Sequence, residues 1–299
     1  MDRDAVIVEV SLNEGVTPAL HRHVPRHPDE CGADALRCAE AGASMVHWHA
    51  VDADGRQALG DVDLYGAALD LMEGRVLAYP SYPVDVPATV TGRLGHCLQL
   101  GRHHGMEIAP LDVATVNVFA VDHNGRALAS RGAGEGNEVI ANPPSFVADA
   151  LTCYRTEGLV PTVAAFDLGS TRAIGALARA GLLAQPLLLK IFLWESPLIG
   201  PRPSIEALDL HLRQLGGEID VEWIVVTYGM TDPAAVEAIV RAALERGGGA
   251  RIGIGDNPRA FPDATNARLV ELVSRWAGDA GRPLASTDAV RERLGTRPR

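Results

Sequence analysis

Ala5-Val6-Ile7-Val8-Glu9-Val10-Ser11-Leu12, an amphipathic segment over about 30–42, and then Ala43-Ser44-Met45-Val46-His47-Trp48-His49-Ala50-Val51 form the stretch whose reading decides the fold. Two short β-branched runs separated by one helix-length segment make a βαβ unit, because parallel neighbours need a crossover of that length. The rhythm continues outward: a helix near 62–73, a strand at 76–81, a helix near 88–102, a strand within 107–120, a loop at 122–142 and a helix at 144–157. The second half repeats it, with strands predicted at 160–167, 186–193, 220–227 and 250–256 and helices at 170–181, 204–215, 232–246, 264–279 and 286–294. Eight βα units with no compositional break predict a (β/α)8 TIM barrel, α/β in class, as a single domain over 1–299 with a C-terminal extra helix. A doubly wound open sheet is the alternative.

The 299 residues are 47% hydrophobic and 22% charged, enough apolar material for a large core. A formal charge of −11 with no basic cluster speaks against nucleic-acid partners. The start, MDRDAVIVEV, lacks a basic, apolar leader, and no apolar run is long enough to span a bilayer, so a cytoplasmic location and no membrane partner are expected. Cys31, Cys38, Cys97 and Cys153 form no C-x-x-C pair and read as reduced thiols. The glycines of 247–249 fall where a helix C-terminus wants them, a structural reading.

Side chains alternate along a strand, so His47 and His49 point the same way, which in a barrel strand can be inward. Two imidazoles on one face are half of a divalent metal site and need a third ligand from elsewhere; the alternative is a pair of polar residues at a barrel mouth. Strand ends on that rim also supply Asn13 and Glu14, Ser81, Thr115 and Asn117, and Asp167, each of which has a structural reading as a turn, core or capping residue. In Arg251-Ile252-Gly253-Ile254-Gly255-Asp256-Asn257, Arg251, Gly253 and Gly255 share a face and Asp256 sits at the mouth, either as a base oriented by Arg251 or as its salt-bridge partner.

LNEGVTP, AGASMVHWHAVDADG, PSYP, RIGIGDN and LASTDAVRERLG, spread nearly end to end, resemble the β-keto acid cleavage enzyme family. That resemblance implies a TIM barrel, usually a homotetramer, holding one divalent metal, generally zinc, and splitting a β-keto acid with acetyl-CoA into acetoacetate and a new acyl-CoA. It implies metal ligation by His47 and His49, assistance of carbon–carbon cleavage by Arg251 and Asp256, and a Ser81 hydroxyl near the reacting acyl group. Asn13, Thr115 and Asn117 are the candidate substrate contacts.

The chain departs from the family pattern at three places. Gly255 stands where the family has a glutamate ligand, so either the metal is lost or another carboxylate replaces it; the best placed is Glu14, because strand one neighbours strands two and eight in a closed barrel, and an inward shift of Asp256 is the other route. Thr162-Val163-Ala164-Ala165-Phe166-Asp167 lacks the carboxylates that the family carries before Phe-Asp, which implies altered substrate binding. Phe192-Leu193-Trp194-Glu195-Ser196-Pro197 replaces a glycine-rich loop with bulk that narrows the mouth. Trp194, Leu198 and Ile199 are expected as exposed apolar residues suited to a dimer or tetramer. Two other functions fit the same residues: a non-catalytic small-molecule-binding barrel, and a metal-assisted lyase or hydrolase that does not use CoA.

Overall fold

The computed structural model describes residues 4–119 and 138–296. The first half runs β1 (Val8–Ser11), α1 (Pro28–Glu40), β2 (Met45–Trp48), α2 (Val62–Met72), β3 (Leu77–Pro80), α3 (Gly95–His103), β4 (Ile108–Asp112), β5 (Val116–Val118), β6 (Glu138–Ile140) and α4 (Pro144–Glu157). The second runs β7 (Val160–Ala165), α5 (Leu168–Arg179), β8 (Leu187–Trp194), α6 (Ile205–Leu215), β9 (Val221–Tyr228), α7 (Pro233–Glu245), β10 (Gly249–Ile252), α8 (Asn266–Asp279) and α9 (Thr287–Leu294).

Eight strands pair in parallel in the order β3-β2-β1-β10-β9-β8-β7-β4, which is the cyclic order of a (β/α)8 barrel. The remaining seam, between β3 and β4, is stitched by Tyr82, whose hydroxyl donates to Asp112 Oδ2 (2.7 Å) and accepts from the Asp112 N–H (3.2 Å). Register sets the two faces. Glu9 pairs with Arg251 and Met45, Ser11 and Tyr79 with His47, and Ala164 with Lys190 and Asp112. The alternate residues Val8, Val10 and Val46 are buried toward the helices.

Helices start where the sequence offers a cap: Asp61 accepts from Leu64 N, Ser204 from Ala207 N and Ser286 from Ala289 N. Three elements differ from their predicted form. Residues 107–120 contain two strands, β4 in the barrel and β5 in a hairpin with β6, because Val116 and Val118 are buried while Asn117 between them is exposed, a ribbon lying on a core. The 122–142 loop lies largely outside the described residues, and its described end is β6. The helix expected from 88 begins with a π turn at Val90–Leu94, where buried Arg93 donates to Ala141 O (2.9 Å), Asn142 Oδ1 (2.6 Å) and Val84 O (3.0 Å). That reach ties the start of α3 to the approach to α4, which a regular helical turn would aim elsewhere.

Cys31, Cys38, Cys97 and Cys153 are free thiols. Among the described residues, no helix is long and apolar enough to cross a membrane.

Candidate metal centre

At the end of β1 the chain turns through Asn13 and Glu14, and Glu14 adopts φ 42°, the left-handed region that side chains avoid without a compensating gain. Asn13 secures the neighbouring strand end. Its Oδ1 accepts from His49 N (2.8 Å), and its Nδ2 donates to His49 O (2.9 Å) and Pro25 O (3.1 Å). Both ends of the Asn13 amide are thus engaged by backbone, which gives it a positioning role at this strand end.

The two imidazoles meet one carboxylate. His47 Nε2 lies 3.0 Å from Glu14 Oε1 and His49 Nε2 lies 2.7 Å from Glu14 Oε2. One ligand atom from each of the three residues falls within 4.8 Å of the others. On the far side of each ring stands an acceptor: Tyr79 O at 3.2 Å from His47 Nδ1 and Gln57 Oε1 at 2.5 Å from His49 Nδ1. An imidazole that donates from Nδ1 to such an acceptor turns its Nε2 toward Glu14. Imidazoles oriented through Nδ1–H···O=C are the usual support of a metal-ligating histidine. Burial lowers the His47 pKa from 6.5 to about 3, outweighing the attraction of Glu14, so the ring is neutral and ligand-ready. Burial alone would raise the Glu14 pKa, but its contacts with the His49 and His47 rings and the Arg251 guanidinium outweigh that and hold it well below the ordinary carboxylate value. The donor set fits a divalent transition metal.

Gly255 makes this possible. A Cβ at that position would lie 2.3 Å from Ser11 Oγ and 2.7 Å from Glu14 Cγ, so a side chain at 255 and an inward Glu14 exclude each other. The expected face-sharing of 251, 253 and 255 is also corrected, because β10 ends at Ile252 and Gly253–Asn257 turns. The turn folds Asp256 back under the mouth, 1% exposed, where Arg251 Nε and Nη2 reach its carboxylate at 2.7–3.2 Å. Burial raises the Asp256 pKa from 3.8 to about 6 against the pull of Arg251. Arg251 also donates to Glu14 Oε1, to Ser11 Oγ (3.1 Å) and to Glu9 Oε1 (3.3 Å), joining the base candidate to the metal ligands.

Sequence reading missed the layer beneath. Lys190, 4% exposed, donates to the Tyr79 hydroxyl (2.8 Å), which donates to Glu9 Oε1; Glu9 Oε2 has no partner among the described residues. The signal was available: a lysine inside the apolar run PLLLKIFL can only be tolerated in a strand if it points into a polar lumen.

The other candidates divide. Ser81 lies two residues beyond Tyr79, half-buried, its carbonyl within 2.8 Å of His96 Nε2. Thr115 is exposed and its hydroxyl accepts from Asn142 N (2.9 Å), and Asn117 is exposed on the β5–β6 hairpin; neither joins the triad. Asp167 caps α5, accepting from Ser170 N at 2.6 Å.

Across the mouth stands an aromatic cluster. Phe192 and Trp194 stack at 5.3 Å, Trp194 meets Tyr228 at 4.1 Å, and Phe166 packs edge-on to Phe192 at 5.1 Å. Val116, Val118, Ile199 and Ala164 complete it. Of the three apolar residues expected at the surface, only Leu198 is exposed, at 49%; Ile199 is 5% exposed and Trp194 half-buried, because this cluster absorbs them. Phe192 lies 5.5 Å below the Arg251 guanidinium, so the cluster borders the polar site directly.

Comparison with known proteins gives a consistent picture. The 3-dehydrocarnitine:acetyl-CoA trimethylamine transferase of Rhizobium meliloti is 26% identical, over 98% of this chain and 97% of its own length. The 3-keto-5-aminohexanoate cleavage enzyme of Acetoanaerobium sticklandii is also 26% identical, with 97% of each chain covered. Among solved structures, the binary complex of ObcA with oxaloacetate superposes with a TM-score of 0.66 at 19% identity, covering 92% of this chain and 67% of that one; this chain thus spans about two thirds of ObcA and shares its fold. The family model described as beta-keto acid cleavage enzyme matches residues 5–296, and the chain belongs to that family.

Proposed function

We propose that the chain is a metal-dependent β-keto acid cleavage enzyme that exchanges acyl groups with acetyl-CoA. The observation that carries this reading is the convergence of the His47 and His49 Nε2 atoms on Glu14, with Gly255 leaving the space Glu14 needs. A divalent cation, zinc by donor type, would be held by Glu14, His47 and His49. When bound, it supplies Lewis-acid polarisation of the substrate ketone and carboxylate oxygens.

The exchange balances as R–CO–CH2–COO⁻ plus CH3–CO–SCoA giving R–CO–SCoA plus CH3–CO–CH2–COO⁻. The acetyl thioester bond breaks, a bond forms between the acetyl carbon and the methylene carbon, the bond from that methylene to R–CO breaks, and the CoA sulfur takes R–CO. A base must take a proton from the methylene before the new bond forms. Asp256 is suited to it: its pKa near 6 lies close to neutral pH, and Arg251 fixes the direction of its carboxylate. Ser81, two residues beyond Tyr79, would bond an acyl oxygen. Its position and the homo-oligomeric assembly of the protein belong to the same proposal.

The test is elemental analysis of untagged protein beside a His47→Ala, His49→Ala double variant, followed by a coupled assay of acetoacetate release from β-keto acids and acetyl-CoA. The expected result is about one metal per chain, lost in the variant together with turnover. Equal metal content in both proteins sinks the triad, and metal without CoA-dependent exchange sinks the reaction.

A further inference from the structure

Two named relatives act on molecules that carry an amine: one name contains an aminohexanoate, the other a trimethylamine. A cationic chain needs either an anionic partner or an aromatic face open to it. Among the described residues, the wall opposite the triad offers no carboxylate, and the protein's own cations already sit beside its inner ring. The residues opposite the triad, Phe166, Phe192, Trp194, Tyr228, Ala164 and Val226, contain no ionisable carboxylate. Phe192 already carries the protein's own cations on its faces, with Lys190 Nζ 5.8 Å and Arg251 Cζ 5.5 Å from its ring centre.

Among the described residues, the buried carboxylates nearby are engaged. Glu14 is held by His47, His49 and Arg251; Asp256 and Glu9 by Arg251; and Asp112 by the Tyr82 hydroxyl. Glu195 follows the end of β8 and is exposed. A substrate ammonium over this wall would meet Lys190 and Arg251, with each buried carboxylate named above already paired, in a site where burial makes an unpaired charge expensive.

The wall suits an uncharged chain. Trp194 and Tyr228 remain partly exposed while Phe166 and Phe192 are buried behind them, and the Trp194 Nε1 is buried with no acceptor among the described residues. Tyr228 lies within electrostatic reach of Glu14, Asp256 and Arg251, so one molecule can touch both the polar site and the aromatic wall. We infer that the substrate's R group is an uncharged apolar or aromatic chain seated on Phe166, Phe192, Trp194 and Tyr228, with cationic chains rejected by Lys190 and Arg251, a specificity that rests on the β-keto acid reading above.

The experiment needs no turnover. Zinc-incubated protein is titrated with hexanoate and with 6-aminohexanoate, read by quenching of tryptophan fluorescence, and compared with Trp194→Phe and Lys190→Met variants. Hexanoate is expected to bind at least about tenfold more tightly than its amino analogue, a difference expected of a buried unpaired charge. Trp194→Phe should remove most of the quench, and Lys190→Met should narrow the gap. Equal or tighter binding of 6-aminohexanoate, a quench unaffected by Trp194→Phe, or no saturable quench with either acid overturns the inference. Failure of the exchange reaction shows separately, as hexanoate binding without acetoacetate release from any β-keto acid.

Discussion

On the β1, β2 and β10 side of the barrel mouth the lumen is lined by Glu9, Ser11, Glu14, His47, His49, Arg251 and Asp256, while on the β7, β8 and β9 side it is lined by Ala164, Phe166, Phe192, Trp194, Val226 and Tyr228. The polar half is over-determined. Glu14 Oε1 alone meets Ser11, His47 and Arg251, and Arg251 contacts three carboxylates. Removing one partner from such a network leaves buried charge uncompensated, so its failures should be near all-or-none. The aromatic half is held by ring packing and responds to volume, so its failures should be graded. A site whose chemistry must be placed to a fraction of an ångström and whose substrate chain need only fit has reason to be built this way.

The largest effect expected is on the triad. Glu14→Gln should weaken metal binding by at least about a hundredfold, since loss of even an outer partner of a ligand can cost that much, and should abolish turnover. Metal retained in Glu14→Gln at parental affinity would break the comparison, because Glu14 would then be only the partner of Arg251.

Next comes the space at 255. Gly255→Glu alone should lose metal and destabilise the fold by about 1–3 kcal/mol from overpacking against Ser11 and Glu14. Combining it with Glu14→Gly should restore metal, read by elemental analysis. A single variant that binds metal normally would show that 14 and 255 do not compete.

On the aromatic side, Phe192→Ala should cost about 3–5 kcal/mol in urea unfolding, the usual range for a buried phenylalanine, with metal content kept. A loss of metal there would show that the two halves are one cooperative unit.

A smaller effect sharpens the polar half through pH. The His47 pKa is lowered from 6.5 to about 3, so unfolding takes up a proton in that window; the stability it contributes is full above 6.5 and lost as pH falls. The Asp256 pKa is raised from 3.8 to about 6, so its contribution is full below 3.8 and lost as pH rises. The two oppose each other between pH 4 and 6. In chelator-treated protein, His47→Asn should therefore make stability fall as pH rises through that window, by up to about 1.4 kcal/mol per unit, and Asp256→Asn should do the reverse. Urea titrations giving both variants the parental slope would refute the two assignments.

The smallest is a control away from both halves. Asp167→Ala removes the cap of α5 and should cost about 1 kcal/mol of stability with metal and turnover unchanged.

The alternation of apolar runs and amphipathic segments was enough to place eight strands and their helices, since period and capping are local properties; α4 begins at Pro144 and ends at Glu157, as its residues predict. The same-face pairing of His47 and His49 was legible for that reason too, and the missing side chain at Gly255 pointed to Glu14. The positioning role of Asn13 was not legible, because nothing local shows that its amide closes on the His49 backbone, 36 residues away. The face-sharing of Arg251, Gly253 and Gly255 was expected because strand alternation was extended past Ile252, where the chain in fact turns.

The sequence by itself determined the barrel, the rim on which polar residues collect and the identity of two metal-ligand candidates, because each depends on periodicity within a few residues. Only the tertiary structure decided which groups meet across the lumen: Glu14 between two imidazoles, Arg251 against Glu9 at a separation of 242 residues, and Lys190 on Tyr79 at 111. Those meetings follow from strand order and register around a closed sheet, where a shift of one residue would turn each of these side chains from the lumen to the helices.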